Sequence, residues 1–281
     1  GIAAATRIPG DKGLKELLQK LVIDFVDLVM ALLPRAVPSS AALHNCKIVS
    51  HRGEHDNRRV MENTLLAFDI ARAAGVWGIE CDIRWTRDLV PVICHDPSAQ
   101  RVFGKPLLIE SMTFDQLREQ LPAIPSLEEV VARYSGNTHL MLELKCFSAE
   151  HLDQQREALA RILGNVRPGQ DYHVLALDPA LFTLVDFIDA GYLLPVAETN
   201  VNHVSETSLK RGYCGVAGHY LLLGERIRRR HGAAGQVIGT GFPRSRNCLC
   251  RELNRGVQWI FSNDAVHLQG EVNAMLAGHR K

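Results

Sequence analysis

Five short stretches carry side chains able to do chemistry: Ser50-His51-Arg52-Gly53, Glu62-Asn63-Thr64, Glu80-Cys81-Asp82, Cys94-His95-Asp96 and Glu143-Leu144-Lys145. Most of them stand at or near the end of an apolar, β-branched run. Ionisable groups in such places are costly unless they pair or react. Residues two apart on a strand face the same way, so Glu80 and Asp82 share a face, as do Glu143 and Lys145. Three carboxylates meeting at one rim repel one another unless a cation sits among them. An all-oxygen set selects one hard divalent ion, Mg²⁺ or Ca²⁺. The alternative is that these carboxylates only pair with Arg52 and Lys145. His51 and His95 suit general acid/base work near neutral pH. Arg52 and Lys145 offer positive charge to an anion, and Arg can grip phosphate with two hydrogen bonds. Asn63 reads as a cap for a helix starting at Thr64, with Glu62 as an acid favoured by the helix dipole, or as part of the same site. A cation, two histidines and fixed positive groups describe hydrolysis of a phosphoric ester. The nucleophile is water or a neighbouring substrate hydroxyl; the residues do not choose.

The elements that position these groups follow from periodicity. Strands are predicted at Lys47–Ser50, Gly78–Ile83, His139–Leu144, His173–Leu177, Leu193–Glu198, Gly215–Leu221, Gln236–Gly239 and Trp259–Ser262, with a short extra run at Pro91–Cys94. Between them helical patterns run over Thr64–Ala74, Ser126–Tyr134, Ala149–Leu163, Pro179–Ala190, Glu206–Arg211, Glu225–His231, Arg246–Asn254 and Ala265–Leu276. Eight strand–helix alternations predict an α/β fold, a TIM (β/α)8 barrel. An open doubly wound sheet is the competing architecture, disfavoured because no Gly-rich phosphate loop follows the first strand. In a barrel the catalytic groups project from the C-terminal strand ends, which is where His51, Arg52, Glu80, Asp82, His95, Glu143 and Lys145 fall.

Ahead of the barrel, Leu14, Leu17, Leu18, Leu21, Phe25, Leu28 and Leu32 recur at helical spacing over about residues 11–33. Asp24 and Asp27 interrupt the run, which argues against a membrane span. The expectation is an extra N-terminal amphipathic helix packed on the body, with peripheral membrane contact as the alternative. Residues 34–40, with two Pro and two Ser, end it. The division is therefore 1–40, helix and linker, and 41–281, barrel. The 281 residues are 46% hydrophobic, enough for a sizeable core, and a net charge of +1 gives no case for nucleic acid as a partner. Seven Cys without paired spacing read as reduced thiols of a cytoplasmic-type compartment. Oligomeric state is not legible.

In the order His51-Arg52-Gly53, Glu62-Asn63-Thr64, Glu80-Cys81-Asp82, His95-Asp96 and Glu143-Leu144-Lys145, the chain resembles the glycerophosphodiester phosphodiesterase family. Pro125-Ser126-Leu127-Glu128-Glu129 is similar to the segment that family carries before its third strand. The resemblance spans about Ile48 to Lys145. It implies a TIM barrel, a metal held by Glu80, Asp82 and Glu143, His51 and His95 as the acid/base pair, and Arg52, Glu62, Asn63 and Lys145 as supporting or phosphate-contacting groups. The implied reaction splits a glycerophosphodiester into glycerol phosphate and an alcohol. Its rivals are a lysophospholipase D acting on a larger lipid and a non-catalytic barrel that binds phosphorylated ligands.

The later strands depart from the family pattern. Gly239-Thr240-Gly241-Phe242 stands where the family often has Trp-Thr-Val-Asn, and Ser262-Asn263-Asp264 where Thr-Asp is common. These ends should face the alcohol. His219 and Trp259 are the candidate contacts there, with core packing as the alternative. Glu198 and Asn200 could bind hydroxyls or cap a loop. Arg226, Arg228, Arg229 and Arg230 form a basic helix face, and Arg58 and Arg59 sit on the catalytic side, where they could guide an anion inward.

Overall fold

The computed structural model describes residues 11–279, with side-chain surroundings for Leu18 and from Lys20 onward. Leu14 and Leu17 of the N-terminal pattern lie outside the described side chains. Eight parallel strands close into a barrel: β1 (Lys47–His51), β2 (Gly78–Trp85), β4 (His139–Leu144), β5 (Tyr172–Ala176), β6 (Leu193–Ala197), β7 (Gly215–His219), β8 (Val237–Gly241) and β9 (Trp259–Ser262). β1 pairs with both β9 and β2, which removes the sheet edges and excludes the open sheet. β3 (Pro91–Ile93) runs antiparallel to the end of β2 and lies outside the ring.

The barrel has two apolar layers, separated by the two-residue period of each strand. Ile48, Ile79, Cys81, Ile83, Leu140 and Leu142 pack outward against the helices. Val49, Met141, Leu175, Leu194, Ala217 and Phe261 plug the interior. The helices are α1 (Asp11–Leu32), α2 (Ser40–His44), α3 (Leu65–Ala73), α4 (Gln100–Phe103), α5 (Phe114–Gln120), α6 (Leu127–Tyr134), α7 (Leu152–Leu163), α8 (Val201–Arg211), α9 (Glu225–Ala233), α10 (Arg246–Asn254) and α11 (Ala265–His279). Their starts follow local chemistry. In α6, Ser126 Oγ accepts from the Glu129 N–H at 3.1 Å, and Glu129 accepts from the Ser126 N–H at 2.8 Å, a reciprocal cap. The helix expected over Pro179–Ala190 is instead a 3-10 segment, Pro179–Val185, and a second short turn, Ala190–Tyr192. The first turns Phe182, Leu184 and Val185 into the core within seven residues.

Two expectations are corrected. Trp259 is the first residue of β9, so it belongs to the N-terminal floor of the barrel, about 7 Å below Phe261 on the same face. There it packs against Trp77 and His173 and takes no part in the mouth. The N-terminal helix also faces the other way. α1 rests on α10 through a narrow strip: Asp27 accepts from the Tyr220 hydroxyl at 2.7 Å, and the Ala31 carbonyl accepts from Asn247 at 2.7 Å. Leu21, Val22, Phe25, Leu28, Val29 and Leu32 point away from the body. Among the described residues no helix is long and apolar enough to cross a membrane.

Candidate active site

Strand register assembles the site. His51 stands opposite Glu80 across β1 and β2, and Asp82 stands opposite Glu143 across β2 and β4. All four project above the apolar plug, at the C-terminal mouth. Oxygens of Glu80, Asp82 and Glu143 lie within 4.8 Å of one another, and all three residues are buried.

The turn after β1 is shaped to meet this cluster. Arg52 and Asn63 both take left-handed backbone angles, φ 60° and 58°, a strained conformation for side-chain-bearing residues. They are tied together where the Asn63 N–H donates to the Arg52 carbonyl at 2.9 Å. At Gly53, φ 77°, an added Cβ would meet Ala67 and Phe68 at 2.8 Å, so only glycine lets the turn sit on α3. Asn63 is not the helix cap. Thr64 caps α3, accepting from the Ala67 N–H at 3.3 Å, and Asn63 donates to Asp82 Oδ2 at 2.8 Å.

Positive charge is distributed over the cluster. Arg52 Nε lies 3.2 Å from Asp82 and its Nη1 donates to Glu62 at 3.0 Å. Lys145 donates to Glu143 at 2.6 Å and lies 3.4 Å from Asp82. These pairs do not complete the cluster. Glu80 Oε1 and Asp82 Oδ1 are buried and accept no hydrogen bond. Burial, then Asp82 and Glu143, drives the Glu80 carboxyl well above its ordinary range. Burial, then Asp82, raises Glu143. Burial would also raise Asp82, but Arg52 and Lys145 hold it low. Orphaned oxygens among too few cations are what a hard divalent ion satisfies, so the donor set fits a metal.

The histidines flank this cluster with their tautomers set. His51 Nδ1 lies 2.7 Å from the Asn263 amide oxygen, so Nδ1 carries the proton and Nε2, 3.7 Å from Glu80, keeps its lone pair. Burial, then Arg52, pushes its pKa down to about 4. His95 Nδ1 lies 2.6 Å from Asp96, an acceptor only, which leaves its Nε2 free as well. Burial holds His95 below the ordinary histidine range, with Asp82 and Asp96 opposing it only in part.

Sequence reasoning missed two supports. Asn263 was visible only as a departure in the eighth strand. Arg101, on α4, gave no signal at all. It clamps Glu62 with contacts of 3.0 and 2.6 Å and holds Asp96 at 2.6 Å. Glu62 therefore has no free oxygen for a ligand: burial would raise it, but Arg101, Asn57 and Arg52 hold it far below the carboxylate range. It braces Arg52 rather than touching phosphate.

The cavity above the cluster holds about 300 Å³. One wall is His51, Arg52, Glu80, His95, Glu143 and Lys145, and the other is mostly Leu175, Leu177, Val196, Leu222, Phe242 and Phe261. His219 lies on this second side with its ring 6.0 Å from Phe242, and its Nε2 has no partner. Glu198 lines it too.

A family model described as the glycerophosphoryl diester phosphodiesterase family matches residues 51–181, which hold all of the five chemical stretches but Ser50. Over that stretch, just under half of its length, the chain is similar to this family. It is 32% identical over 147 residues to human glycerophosphodiester phosphodiesterase 1, and 31% identical over 110 residues to glycerophosphodiester phosphodiesterase of Bacillus altitudinis. These matches cover 45% and 35% of this chain and 42% and 44% of those proteins, so the chain matches less than half the length of these relatives. The fold is similar to that of a Thermotoga maritima glycerophosphodiester phosphodiesterase, TM-score 0.66 at 21% identity over 79% of this chain and 96% of that one. It is also similar to an Oleispira antarctica phosphodiesterase crystallised with its product sn-glycerol-3-phosphate, TM-score 0.67 at 21% identity over 81% and 96%.

Proposed function

We propose that the barrel, residues 41–281, hydrolyses a glycerophosphodiester to glycerol phosphate and an alcohol. The observation that carries this is one cavity holding a buried three-carboxylate cluster, two fixed cations, and two histidines whose Nε2 atoms are both free. Glu80, Asp82 and Glu143 would hold one divalent cation, Mg²⁺ or Ca²⁺. When bound, it supplies charge stabilisation to the phosphoryl oxygens. Arg52 and Lys145 add donors for the same oxygens once relieved of carboxylate contacts. His51, neutral near pH 7, is placed to take a proton from the nucleophile through Nε2, and Asn263 keeps it in the right tautomer. His95, held through Nδ1 by Asp96 with its Nε2 free, is placed to give a proton to the leaving alkoxide. Glu62, Asn63 and Arg101 position these groups.

The product bound in the Oleispira structure, glycerol phosphate, suits the charged wall. A second reading draws on the other wall. Six apolar side chains offer few partners to a polyol and good contact to an acyl chain, which favours a lysophospholipase D-type substrate. Assay of glycerophosphodiesters and lysophospholipids of increasing chain length, with chelator and with added Mg²⁺ or Ca²⁺, tests both. The first reading expects hydrolysis that chelation abolishes and a cation restores. Full turnover in excess chelator overturns it. Growth of kcat/KM with chain length selects the lipid substrate. A barrel that only binds phosphorylated ligands predicts no turnover on any of them.

A further inference from the structure

We propose that the outward face of α1 docks on a lipid bilayer and sets the barrel mouth against it. The inference rests on the function just proposed, because the bilayer is then where the phosphodiester comes from. Leu21, Phe25, Leu28 and Leu32 follow helical spacing and are 56%, 66%, 56% and 70% exposed, so the apolar stripe is turned out and not in. The acids are arranged in the opposite sense. Asp27 accepts from Tyr220, and Arg244 lies 3.8 Å from both Asp24 and Asp27, which draws negative charge away from the stripe. Lys20 and Arg35, toward the two ends of the stripe, are exposed and enter no ion pair among the described residues. An apolar ridge with free cations at its ends suits the boundary between lipid tails and phosphate headgroups.

The stripe also has a defined relation to the site. Tyr220, which holds α1, directly follows His219 at the end of β7, and Arg244 comes two residues after Phe242 at the end of β8. Both neighbours line the cavity. Leu221, Leu222 and Phe242 are themselves exposed at that rim. The contacts that hold α1 therefore lie beside the rim, next to exposed Leu221, Leu222 and Phe242. A second copy seated on this face would stand beside the opening, whereas a bilayer would present phosphodiesters to Arg52 and Lys145.

The test uses the full chain and a Leu21→Asp/Phe25→Asp/Leu28→Asp variant, which alters no residue of the site. Sedimentation with phosphatidylcholine vesicles, with and without phosphatidylglycerol, is read beside light scattering and turnover of a soluble glycerophosphodiester. The expected result is vesicle binding by the parent, a bound fraction at least about tenfold lower in the variant, and equal soluble turnover in both. No binding by the parent, or equal binding by both, overturns the proposal. A parent dimer that becomes monomeric in the variant, without vesicle binding, overturns it in favour of self-association. If neither protein turns over the soluble diester, the proposed activity fails, and the sedimentation result still decides the docking face. Should the variant lose its folded-state circular dichroism, Phe25→Ser alone is used with the same outcomes.

Discussion

The barrel has a pair of histidines at each end, and the two pairs differ in what their nitrogens face. On the floor, His139 Nε2 meets His173 Nδ1 at 2.8 Å, and His139 Nδ1 donates to the Gln170 carbonyl at 3.0 Å. Trp77 stacks on His139 with ring centres 4.2 Å apart, and Trp259 stands edge-on to His173 at 4.9 Å. Lys47 lies over the Trp77 ring at 4.8 Å. At the mouth, one nitrogen of each ring is fixed by Asn263 or Asp96 and the other is free beside the cavity. Burial alone does not separate the pairs: it takes His51 and His139 both down to about 4. What separates them is a lone pair left open beside a carboxylate cluster.

The mouth is most sensitive at its carboxylates. Glu80→Gln or Asp82→Asn should lower kcat/KM by roughly a thousandfold or more, since charge stabilisation by a held cation is worth several kcal/mol. Glu80→Gln should not lower thermal stability, because it relieves repulsion in a buried cluster, whereas Asp82→Asn takes a partner from Arg52 and Lys145 and should lower it. Metal binding by calorimetry should weaken in parallel. Unchanged activity in Glu80→Gln would remove the metal from the reaction.

The two histidine pairs give the next test. His51→Ala should cost about a hundredfold to ten-thousandfold in kcat on every substrate. His95→Ala should cost a similar factor on alkyl esters and far less on activated aryl esters, whose leaving groups need no proton. Equal losses on both would reject His95 as the acid. His173→Asn on the floor should leave kcat within about threefold while lowering stability by roughly 1–3 kcal/mol, the price of an orphaned buried partner. A loss of kcat there would mean the floor communicates with the mouth.

Arg101 lies behind the mouth histidine His95 and touches neither histidine. It joins Asp96, which orients His95, to Glu62, which braces Arg52. Arg101→Ala should lower kcat roughly tenfold to a hundredfold, as lost outer supports do. It should act on kcat more than KM and shift the acid limb of the pH–rate profile, with partial recovery in Arg101→Lys. An effect confined to thermal stability would make Arg101 merely structural.

Much of this was legible in the chain. Alternating apolar runs placed the barrel strands to within a few residues, because strands buried on both faces must be continuous and β-branched. The two-residue spacing in Glu80–Asp82 and Glu143–Lys145 translated directly into a shared face. What escaped had physical causes. Arg101 acts from a four-residue helix with no periodic signal, and one of its partners, Glu62, is 39 positions away. Trp259 is only a candidate contact at the mouth in the sequence, and because it opens its strand it belongs to the floor. The stripe on α1 was visible, but periodicity says only that one face is apolar. Whether that face is covered depends on Tyr220, 193 positions from Asp27.

The smallest expected effect concerns the floor under acid. Burial lowers His139 to about 4, and burial with His139 and Lys47 nearby lowers His173 to about 3, against 6.5 for a free histidine. Asp171 faces His139 and opposes the shift only in part. Both rings are therefore neutral in the folded chain at pH values where the unfolded chain has already taken up protons. Between about pH 6.5 and 4 the unfolded state binds more protons, so stability must fall as pH falls. The floor's contribution is complete above pH 6.5 and is lost by about pH 3–4. Each histidine adds a slope on the order of 1 kcal/mol per pH unit inside that window. Urea unfolding of the parent and of a His139→Phe/His173→Phe variant, followed from pH 7 to 5, should show a shallower pH dependence in the variant. Identical slopes would mean the floor pair is already protonated when folded, and the contrast between the two ends of the barrel would fail at its quieter end.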